Sequence, residues 1–240
     1  MTAEAPLTKG SIVYTFATPY RDRGKTLFVN IVPKYECTND CRFCSRKDAI
    51  ANLPNIYEKK ADTRLWLPRA PTVSEVLDAL TENSALWTAE EVSFVGLGEP
   101  LLQRDLLCDC IREIRCAGFG GHMRLDTNGC IGDAITSAKL KLAGLDEIRI
   151  SVNATNTFDY AELCRPKVKD AHERICAFVR SCAQAGLNTY ASFVVGFDDG
   201  AAQTRPAGKY QAFAETEFGL DLDSDYVIIS PYVPSLFHGP

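Results

Sequence analysis

Three cysteines, Cys37, Cys41 and Cys44, stand within eight residues and are the side chains in this chain best suited to hold a metal centre. They follow an apolar run, 26–32, of the kind that forms a buried strand. A closed electron-transfer cluster and a structural zinc site each need four protein ligands. Three thiolates can hold three irons of a [4Fe–4S] cluster and leave the fourth open. The spacing therefore indicates a metal centre where chemistry can occur.

The composition is that of an ordinary globular protein. Of its 240 residues 46% are apolar and 24% are charged, and the net charge is −5. This acidic balance argues against nucleic acid as a partner. The chain shows no apolar run long enough to span a membrane and no signal peptide, so we expect a cytoplasmic protein without membrane contact. Ten cysteines in such a chain predict reduced thiols, and the seven outside the cluster motif are expected mostly to be buried.

The elements that must position the cysteines alternate along the chain. Alternating strand and helix patterns predict a parallel sheet, and six units are too few for the closed eight-stranded barrel. The predicted fold class is α/β, a partial, open (βα)6 TIM-like barrel forming a single domain, 1–240, with its core at about 26–233. Strands are expected at 27–32, 92–97, 123–128, 147–153, 189–197 and 225–233. Helices are expected after a capping box at Thr72 and then at 105–117, 131–142, 156–163, 169–185 and 208–218.

Glycine-rich and polar segments follow the predicted strands. The sequence GLGEP follows the second strand, DTNG ends the third, SVN ends the fourth and VGFD ends the fifth. Parallel α/β folds build their sites at this edge of the sheet. We therefore expect these segments and the cysteine loop to converge on one mouth.

This combination resembles the radical S-adenosylmethionine (radical SAM) superfamily, and the resemblance extends from about residue 26 to residue 233. Within the superfamily, the segments that most resemble the TatD-associated radical SAM proteins are NIVPKYECTNDCRFCSRK, VGLGEPLL, DTNG, ISVNA and AELCRP. The cysteine spacing and DTNG are also similar to the activating enzymes of glycyl-radical enzymes. The resemblance implies one [4Fe–4S] cluster on Cys37, Cys41 and Cys44, whose open iron chelates the amino and carboxylate groups of S-adenosylmethionine (SAM).

The resemblance also implies which residues contact SAM. They are expected around the mouth, with Gly98 and Glu99 at the methionyl amino group, Ser151 and Asn153 at the ribose, Phe43 and Val195 at the adenine, Arg165 at the carboxylate, and Asn128 in a turn that shapes the pocket. The implied reaction is the reductive cleavage of SAM to a 5′-deoxyadenosyl radical, which abstracts hydrogen from the substrate. It needs a reducing partner such as flavodoxin or ferredoxin. The motifs do not identify the substrate; an open barrel suits a large one such as a protein, and an activating enzyme would act on a glycine of its partner.

The residues alone also allow non-catalytic and structural interpretations. The cysteines could belong to a zinc site or a non-catalytic iron–sulfur protein, completed by a distant cysteine or by His122, His172 or His238. The segment 49–69 could be a solvated connection or a lid over the mouth. Single residues have structural interpretations as well: Glu99 as a surface turn residue, Asn128 as a plain turn, Arg165 as a surface ion pair, and Cys130 and Cys164 as buried thiols rather than catalytic ones.

Overall fold

The computed structural model describes residues 7, 9–15, 25–44, 65–219 and 226–232. In these residues seven strands form one sheet whose spatial order is the order of the chain. The strands are β1 (Val13–Tyr14), β2 (Thr26–Val29), β3 (Glu91–Phe94), β4 (His122–Thr127), β5 (Glu147–Ser151), β6 (Asn188–Val195) and β7 (Val227–Pro231). β1 is antiparallel to β2, and all the later neighbours are parallel. The predicted α/β partial barrel is confirmed, with the short β1 as an additional edge strand.

Helices connect the parallel strands, except for the first helix, which precedes β1. They are α1 (Lys9–Ile12), α2 (Val73–Thr81), α3 (Arg104–Cys116), α4 (Ala134–Ala143), α5 (Thr157–Cys164), α6 (Ala171–Gln184) and α7 (Ala207–Phe218). The capping box that predicts the start of α2 is present: the Glu75 N–H donates to Thr72 Oγ1 over 3.2 Å, and the Thr72 N–H donates to Glu75 Oε2 over 2.8 Å. Gly144, at φ 104°, ends α4 as expected, because its left-handed conformation suits glycine.

Several strands end earlier than the apolar pattern predicts. β2 stops at Val29 and β3 at Phe94, because the residues after them form the turns of the site. β5 stops at Ser151, since Asn153 takes a left-handed φ of 57°. The expectation of a strand that continues from 147 to 153 and includes both Ser151 and Asn153 is therefore wrong.

The two faces of the sheet differ in character. One face, which includes Val92, Leu125, Ile148 and Phe193, joins the buried core that the helices cover. On the other face charged residues stand side by side, as in the parallel pairing of Arg124 with Glu147. Alternation along each strand separates the two sets. The polar set therefore lines the inner side of the partial barrel.

Some predictions concern residues that lie outside the described part of the chain. Residues 49–64 of the predicted lid and His238 lie outside them. All ten cysteines lie within them and are free thiols; of the seven outside the motif six are buried, as predicted, and Cys116 is exposed. No helix in the described part of the chain is long and apolar enough to cross a membrane.

Candidate active site

The cysteine loop, 37–44, lies beyond β2 and is held against the end of α5. All three thiols are half-buried. Backbone hydrogen bonds join the loop to the segment 163–167: the Arg42 N–H donates to Leu163 O at 2.8 Å, the Asp40 N–H to Cys164 O at 3.1 Å and to Arg165 O at 3.3 Å, and the Lys167 N–H to Thr38 O at 2.8 Å. None of these bonds involves a sulfur atom. The backbone of the loop is therefore held in part by contacts that its thiols do not make.

Arg165 strengthens this attachment. It ends α5 in a left-handed conformation, at φ 42°, and its Nε donates to Asp40 O over 2.8 Å. Its Nη2 lies 2.5 Å from Asp40 Oδ2. Both side chains are partly exposed, so the surface ion pair considered for Arg165 is present. Its predicted contact with the SAM carboxylate stays a prediction, because these bonds already engage part of the guanidinium group.

Glu99 is buried beside the cysteine loop, with 1% of its surface exposed. Its Oε1 accepts from the Leu101 N–H at 2.9 Å and from the Thr127 hydroxyl at 2.5 Å. Its Oε2 accepts from the Asn128 N–H at 2.8 Å. The interpretation of Glu99 as a surface turn residue is wrong. The carboxylate instead ties the turn after β3 to the turn after β4.

The electrostatic setting of Glu99 is unusual for a buried carboxylate. Burial raises its pKa, and the groups that oppose this shift are the neutral donors of Thr127, Asn128 and Leu101. A carboxylate has about four acceptor positions, of which these bonds use three. A cationic donor would favour the charged form more strongly than neutral donors do. The site therefore has the chemistry to accept an ammonium group.

Two glycines of GLGEP allow the backbone to approach its neighbours closely. A Cβ on Gly98 would lie 2.3 Å from Glu36 O and 2.5 Å from Val32 Cγ1, and Gly98 has φ 151°. The next N–H, of Glu99, donates to Glu36 O over 2.9 Å. A Cβ on Gly96 would lie 2.3 Å from the buried Asn30 Oδ1. Both glycines are thus needed to seat this turn against the chain that leads into the cysteines.

Asn128 connects Glu99 with the first cysteine. Its backbone N–H donates to Glu99, as described, and its side-chain Nδ2 lies 3.5 Å from Cys37 Sγ and 2.9 Å from Thr38 Oγ1. The N–H of Asn39 also points at Cys37 Sγ, at 3.4 Å. Asn128 was predicted as part of a turn that shapes the pocket, and the structure places its side chain against the metal-binding loop.

The donor set fits an iron–sulfur cluster. Three thiols lie in one loop, and two N–H groups point at the sulfur of Cys37, where a thiolate would carry negative charge. Among the described residues no three His, Cys, Asp or Glu side chains gather around a single ion position. Each cysteine of a [4Fe–4S] cluster ligates a different iron, so the three sulfurs need not meet at one point.

The opposite side of the mouth carries the predicted ribose residues. Ser192 Oγ, within β6, lies 3.4 Å from Oγ of Ser151, the last residue of β5. The Val194 N–H donates to Asn153 Oδ1 over 3.1 Å, which leaves the Asn153 amide NH₂ as its donor group. The structure therefore brings Ser151 and Asn153 to the same edge, although not in one strand.

An apolar wall lies next to these polar groups. The Phe43 ring packs edge-on against Phe197, with 5.7 Å between centroids, and Phe197 packs against Tyr232 at 5.1 Å. The half-buried Val195 precedes this cluster in β6, and its carbonyl accepts from the Tyr232 N–H at 2.7 Å. The predicted adenine residues, Phe43 and Val195, are thus brought to the same edge by the packing of the cysteine loop on β6.

A buried polar network behind the loop was not predicted. Asn39 Nδ2 donates to the Tyr160 hydroxyl over 2.7 Å, and Cys130 Sγ lies 3.2 Å from Asn39 Oδ1 and 3.3 Å from that hydroxyl. Cys164 shares a hydrogen bond with Cys41. Burial raises the pKa of Cys130 to about 11 and also raises the pKa of Cys164. Both are neutral thiols at neutral pH and suit packing better than nucleophilic catalysis.

Comparison with known families identifies the class of this site. The model of the Radical SAM superfamily matches residues 31–200, which is more than half of the chain. The chain belongs to the Radical SAM superfamily. Members of this superfamily use a [4Fe–4S] cluster and SAM, and the protein is a radical SAM enzyme.

The chain is also similar to curated proteins that are named GTP 3′,8-cyclase or probable GTP 3′,8-cyclase. It is 31% identical to the GTP 3′,8-cyclase of Corynebacterium glutamicum (strain R) over 142 residues, which are 57% of this chain and 36% of that protein. It is 28% identical to the probable GTP 3′,8-cyclase of Saccharolobus solfataricus over 172 residues, or 72% of this chain and 46% of that protein. The chain thus spans less than half the length of these relatives.

Solved structures share the fold at low sequence identity. A structure of anSMEcpe with bound AdoMet superposes with a TM-score of 0.58 and 14% identity, over 88% of this chain and 53% of that one. The [FeFe]-hydrogenase maturase HydG of Carboxydothermus hydrogenoformans gives a TM-score of 0.57 and 15% identity, over 88% of this chain and 46% of HydG. These likenesses concern the fold.

Proposed function

We propose that Cys37, Cys41 and Cys44 ligate the cluster and that Glu99 accepts the methionyl amino group of SAM beside it. The observation that carries this proposal is the buried Glu99 carboxylate, which neutral donors alone hold next to the cysteine loop. When the cluster and SAM are bound and the cluster is reduced, they supply a 5′-deoxyadenosyl radical that abstracts hydrogen from a substrate.

The residues of the chain would divide the remaining tasks. Gly98 keeps the turn close to the cysteine loop, so that Glu99 lies beside the ligands. Ser151 and Asn153 would bind the ribose hydroxyls through their hydroxyl and amide groups. Phe43 and Val195 would cover the adenine and exclude water from the site. Arg165 would act at the SAM carboxylate only with the donors that Asp40 does not use.

The finer function has three candidates. We infer from the resemblance of LCRPK, 163–167, to the TatD-associated radical SAM proteins that the chain is of that type, and in the structure this segment holds the cysteine loop. The similarity to proteins named GTP 3′,8-cyclase favours a nucleoside triphosphate as the second candidate. A partner protein that receives a glycyl radical is the third class implied by the motifs. An external reductant, such as flavodoxin or ferredoxin, would supply the electron.

The test is anaerobic reconstitution with iron and sulfide, followed by reduction, addition of SAM and detection of 5′-deoxyadenosine by mass spectrometry. We expect 5′-deoxyadenosine from the wild type and none from Cys37→Ala, Cys41→Ala or Cys44→Ala. The matched control is Cys116→Ala, which removes an exposed cysteine outside the loop and should retain both iron and product. Zinc in place of iron, or cleavage that persists in Cys41→Ala, would refute the proposal.

The same assay separates the substrate candidates. Addition of GTP should raise 5′-deoxyadenosine formation and yield a modified nucleotide if the second candidate is correct. If GTP has no effect and the cluster binds SAM without turnover, the substrate is of another class. In that case a glycine-centred radical signal on an added protein partner would identify an activating enzyme.

A further inference from the structure

The sulfur of Cys37 receives a side-chain hydrogen bond from a distant part of the sequence. Asn128 Nδ2 lies 3.5 Å from Cys37 Sγ, and the two residues are 91 positions apart. The second donor to the same sulfur, the backbone N–H of Asn39, belongs to the cysteine loop itself. Asn128 is therefore a donor that a side-chain substitution can remove without changing the sequence of the loop.

The orientation of the Asn128 amide follows from its neighbours. Its Oδ1 accepts the backbone N–H of Cys130 over 3.0 Å, in a local turn typical of asparagine. A backbone N–H can only donate, so the oxygen end must face Cys130. The Nδ2 end consequently faces Cys37 and Thr38.

Asn128 also contacts the other half of the proposed site. Its backbone N–H donates to Glu99 Oε2 over 2.8 Å. The same residue thus contacts the proposed acceptor of the SAM amino group through its backbone and a proposed cluster ligand through its side chain. The turn 127–130 therefore contacts both halves of the proposed site.

We propose that Asn128 is a positioning residue that raises the reduction potential of the cluster through its N–H bond to Cys37 Sγ. This inference rests on the proposed function, in which Cys37 is a ligand. Reduction adds one negative charge, which spreads onto the thiolate sulfurs. An N–H directed at such a sulfur stabilises the reduced form more than the oxidised form. The hydrogen bond therefore makes the cluster easier to reduce.

The first test compares the wild type and Asn128→Ala by potentiometric titration, with the reduced cluster followed by electron paramagnetic resonance. Loss of a hydrogen bond to a charged group is expected to lower the ratio of reduced to oxidised cluster about tenfold at a fixed potential. This corresponds to a downward shift of about 59 mV for a one-electron couple. An Asn128→Ala cluster with the wild-type potential would overturn the proposal.

The matched control is Thr38→Val. Thr38 is buried, and its hydroxyl contacts the same amide group, but it is Asn128 that donates to the sulfur. Valine keeps the shape of threonine and removes only the hydroxyl, so the potential should stay at the wild-type value. An equal shift in Thr38→Val and Asn128→Ala would mean that general disturbance of the loop, and not the N–H donor, sets the potential.

A second measurement needs no variant that must assemble a cluster. Wild-type protein labelled with ¹⁵N only at the asparagine side-chain amide is reduced and studied by pulsed electron paramagnetic resonance. A weak ¹⁵N coupling to the cluster is expected from Asn128, and its absence would overturn the proposal. The backbone N–H of Asn39 carries no label, and the labelled side-chain amide of Asn39 donates to the Tyr160 hydroxyl and not to the sulfur.

The two proposals fail in distinguishable ways. A wild-type protein that assembles a cluster and cleaves SAM, but shows no ¹⁵N coupling and no shift in Asn128→Ala, refutes the role of Asn128 alone. A wild-type protein that assembles no cluster, or Cys37→Ala protein that keeps an intact one, refutes the ligand set and with it the inference.

Discussion

Two groups of buried charge lie on this sheet, and they are stabilised differently. At the amino half of the strands, Glu91 faces Arg124 at 3.0 Å, and Glu147 lies 2.6 Å from Arg149 and 3.1 Å from His122. At the carboxyl edge, the hydrogen bonds that Glu99 makes with the described residues come from backbone N–H and hydroxyl groups. The group at the amino half of the strands, called here the lower group, has cations of the fold beside its carboxylates. Glu99, called here the upper group, is the carboxylate for which we propose a cationic ligand.

The pKa values of Glu147 and Glu99 follow this division, whereas the pKa of Glu91 does not. Burial raises the pKa of Glu147, but His122 and Arg149 outweigh this effect and hold it below the ordinary value. Burial raises the pKa of Glu99, and its neutral donors do not reverse the shift. Glu91 is intermediate: burial raises its pKa despite Arg124, and the contact with Arg124 is an ion pair without a well-directed hydrogen bond. The difference teaches that burial of a carboxylate indicates a binding site only where the fold does not supply the cation.

Removal of a cation from the lower group should have the largest effect. Arg124→Met leaves Glu91 buried without its partner, and the cost is expected to be about 3–5 kcal/mol in the free energy of unfolding. Urea denaturation measures it. The double variant Glu91→Leu with Arg124→Met should recover much of this loss, because the fully buried carboxylate is removed together with its cation, while Asp126, the other carboxylate beside Arg124, is partly exposed. A single variant as stable as the wild type would show that the ion pair does not support the fold.

The corresponding change in the upper group should affect ligand binding instead. Glu99→Gln is expected to weaken SAM binding by about 30-fold or more, since removing one charge of a buried pair costs roughly 2 kcal/mol or more. Equilibrium dialysis of the reconstituted protein gives the dissociation constant. Glu147→Gln makes the same chemical change in the lower group and should leave the SAM affinity at the wild-type value. Equal affinities in Glu99→Gln and the wild type would remove Glu99 from the binding site.

Acid should separate the two groups. The pKa of Glu99 in the folded protein is raised, so the contribution of this group to stability is complete at low pH. SAM affinity behaves in the opposite way. It falls as the pH drops and Glu99 is protonated, and this begins above the ordinary pKa of a glutamate. The folded pKa of Glu147 is lowered, so its contribution to stability is present above the ordinary pKa and is lost only as pH falls through the lowered one. We expect SAM binding to be lost at a higher pH than the fold. Parallel titrations by dialysis and circular dichroism check this order.

The smallest effect is expected away from both groups. Cys116 is exposed at the end of α3, and Cys116→Ser should change the free energy of unfolding by no more than about 0.5 kcal/mol. Iron content per protein should equal that of the wild type. A substantial loss of iron in Cys116→Ser would mean that the cluster draws on a cysteine outside the loop.

The regular elements could be predicted because their signals are local. The capping box at Thr72 and the glycine after α4 mark helix ends, and apolar runs mark the parallel strands. The ends of the strands could not be predicted, because the left-handed turn at Asn153 interrupts a continuous apolar pattern. The two-residue β1 is too short to leave a pattern of its own.

The candidate site divides in the same way. The spacing of the cysteines and GLGEP was readable as motifs. The contacts that hold these motifs together could not be predicted, because they join residues far apart in the sequence. Asn39 contacts Tyr160, 121 residues away, and Asn128 contacts Cys37, 91 residues away. The predicted partnership of Arg165 was open between a ligand and an ion pair, because only the tertiary structure brings Asp40 to it.

The attachment of the cysteine loop to the end of α5 has a consequence for the working life of the enzyme. The bonds from Arg42, Asp40 and Lys167 to the segment 163–167 use no thiol, so we expect them to remain when a cluster on these cysteines is lost. In zinc fingers, by contrast, loss of the metal is loss of the fold. We therefore expect the protein without its cluster to stay folded and to accept fresh iron and sulfide.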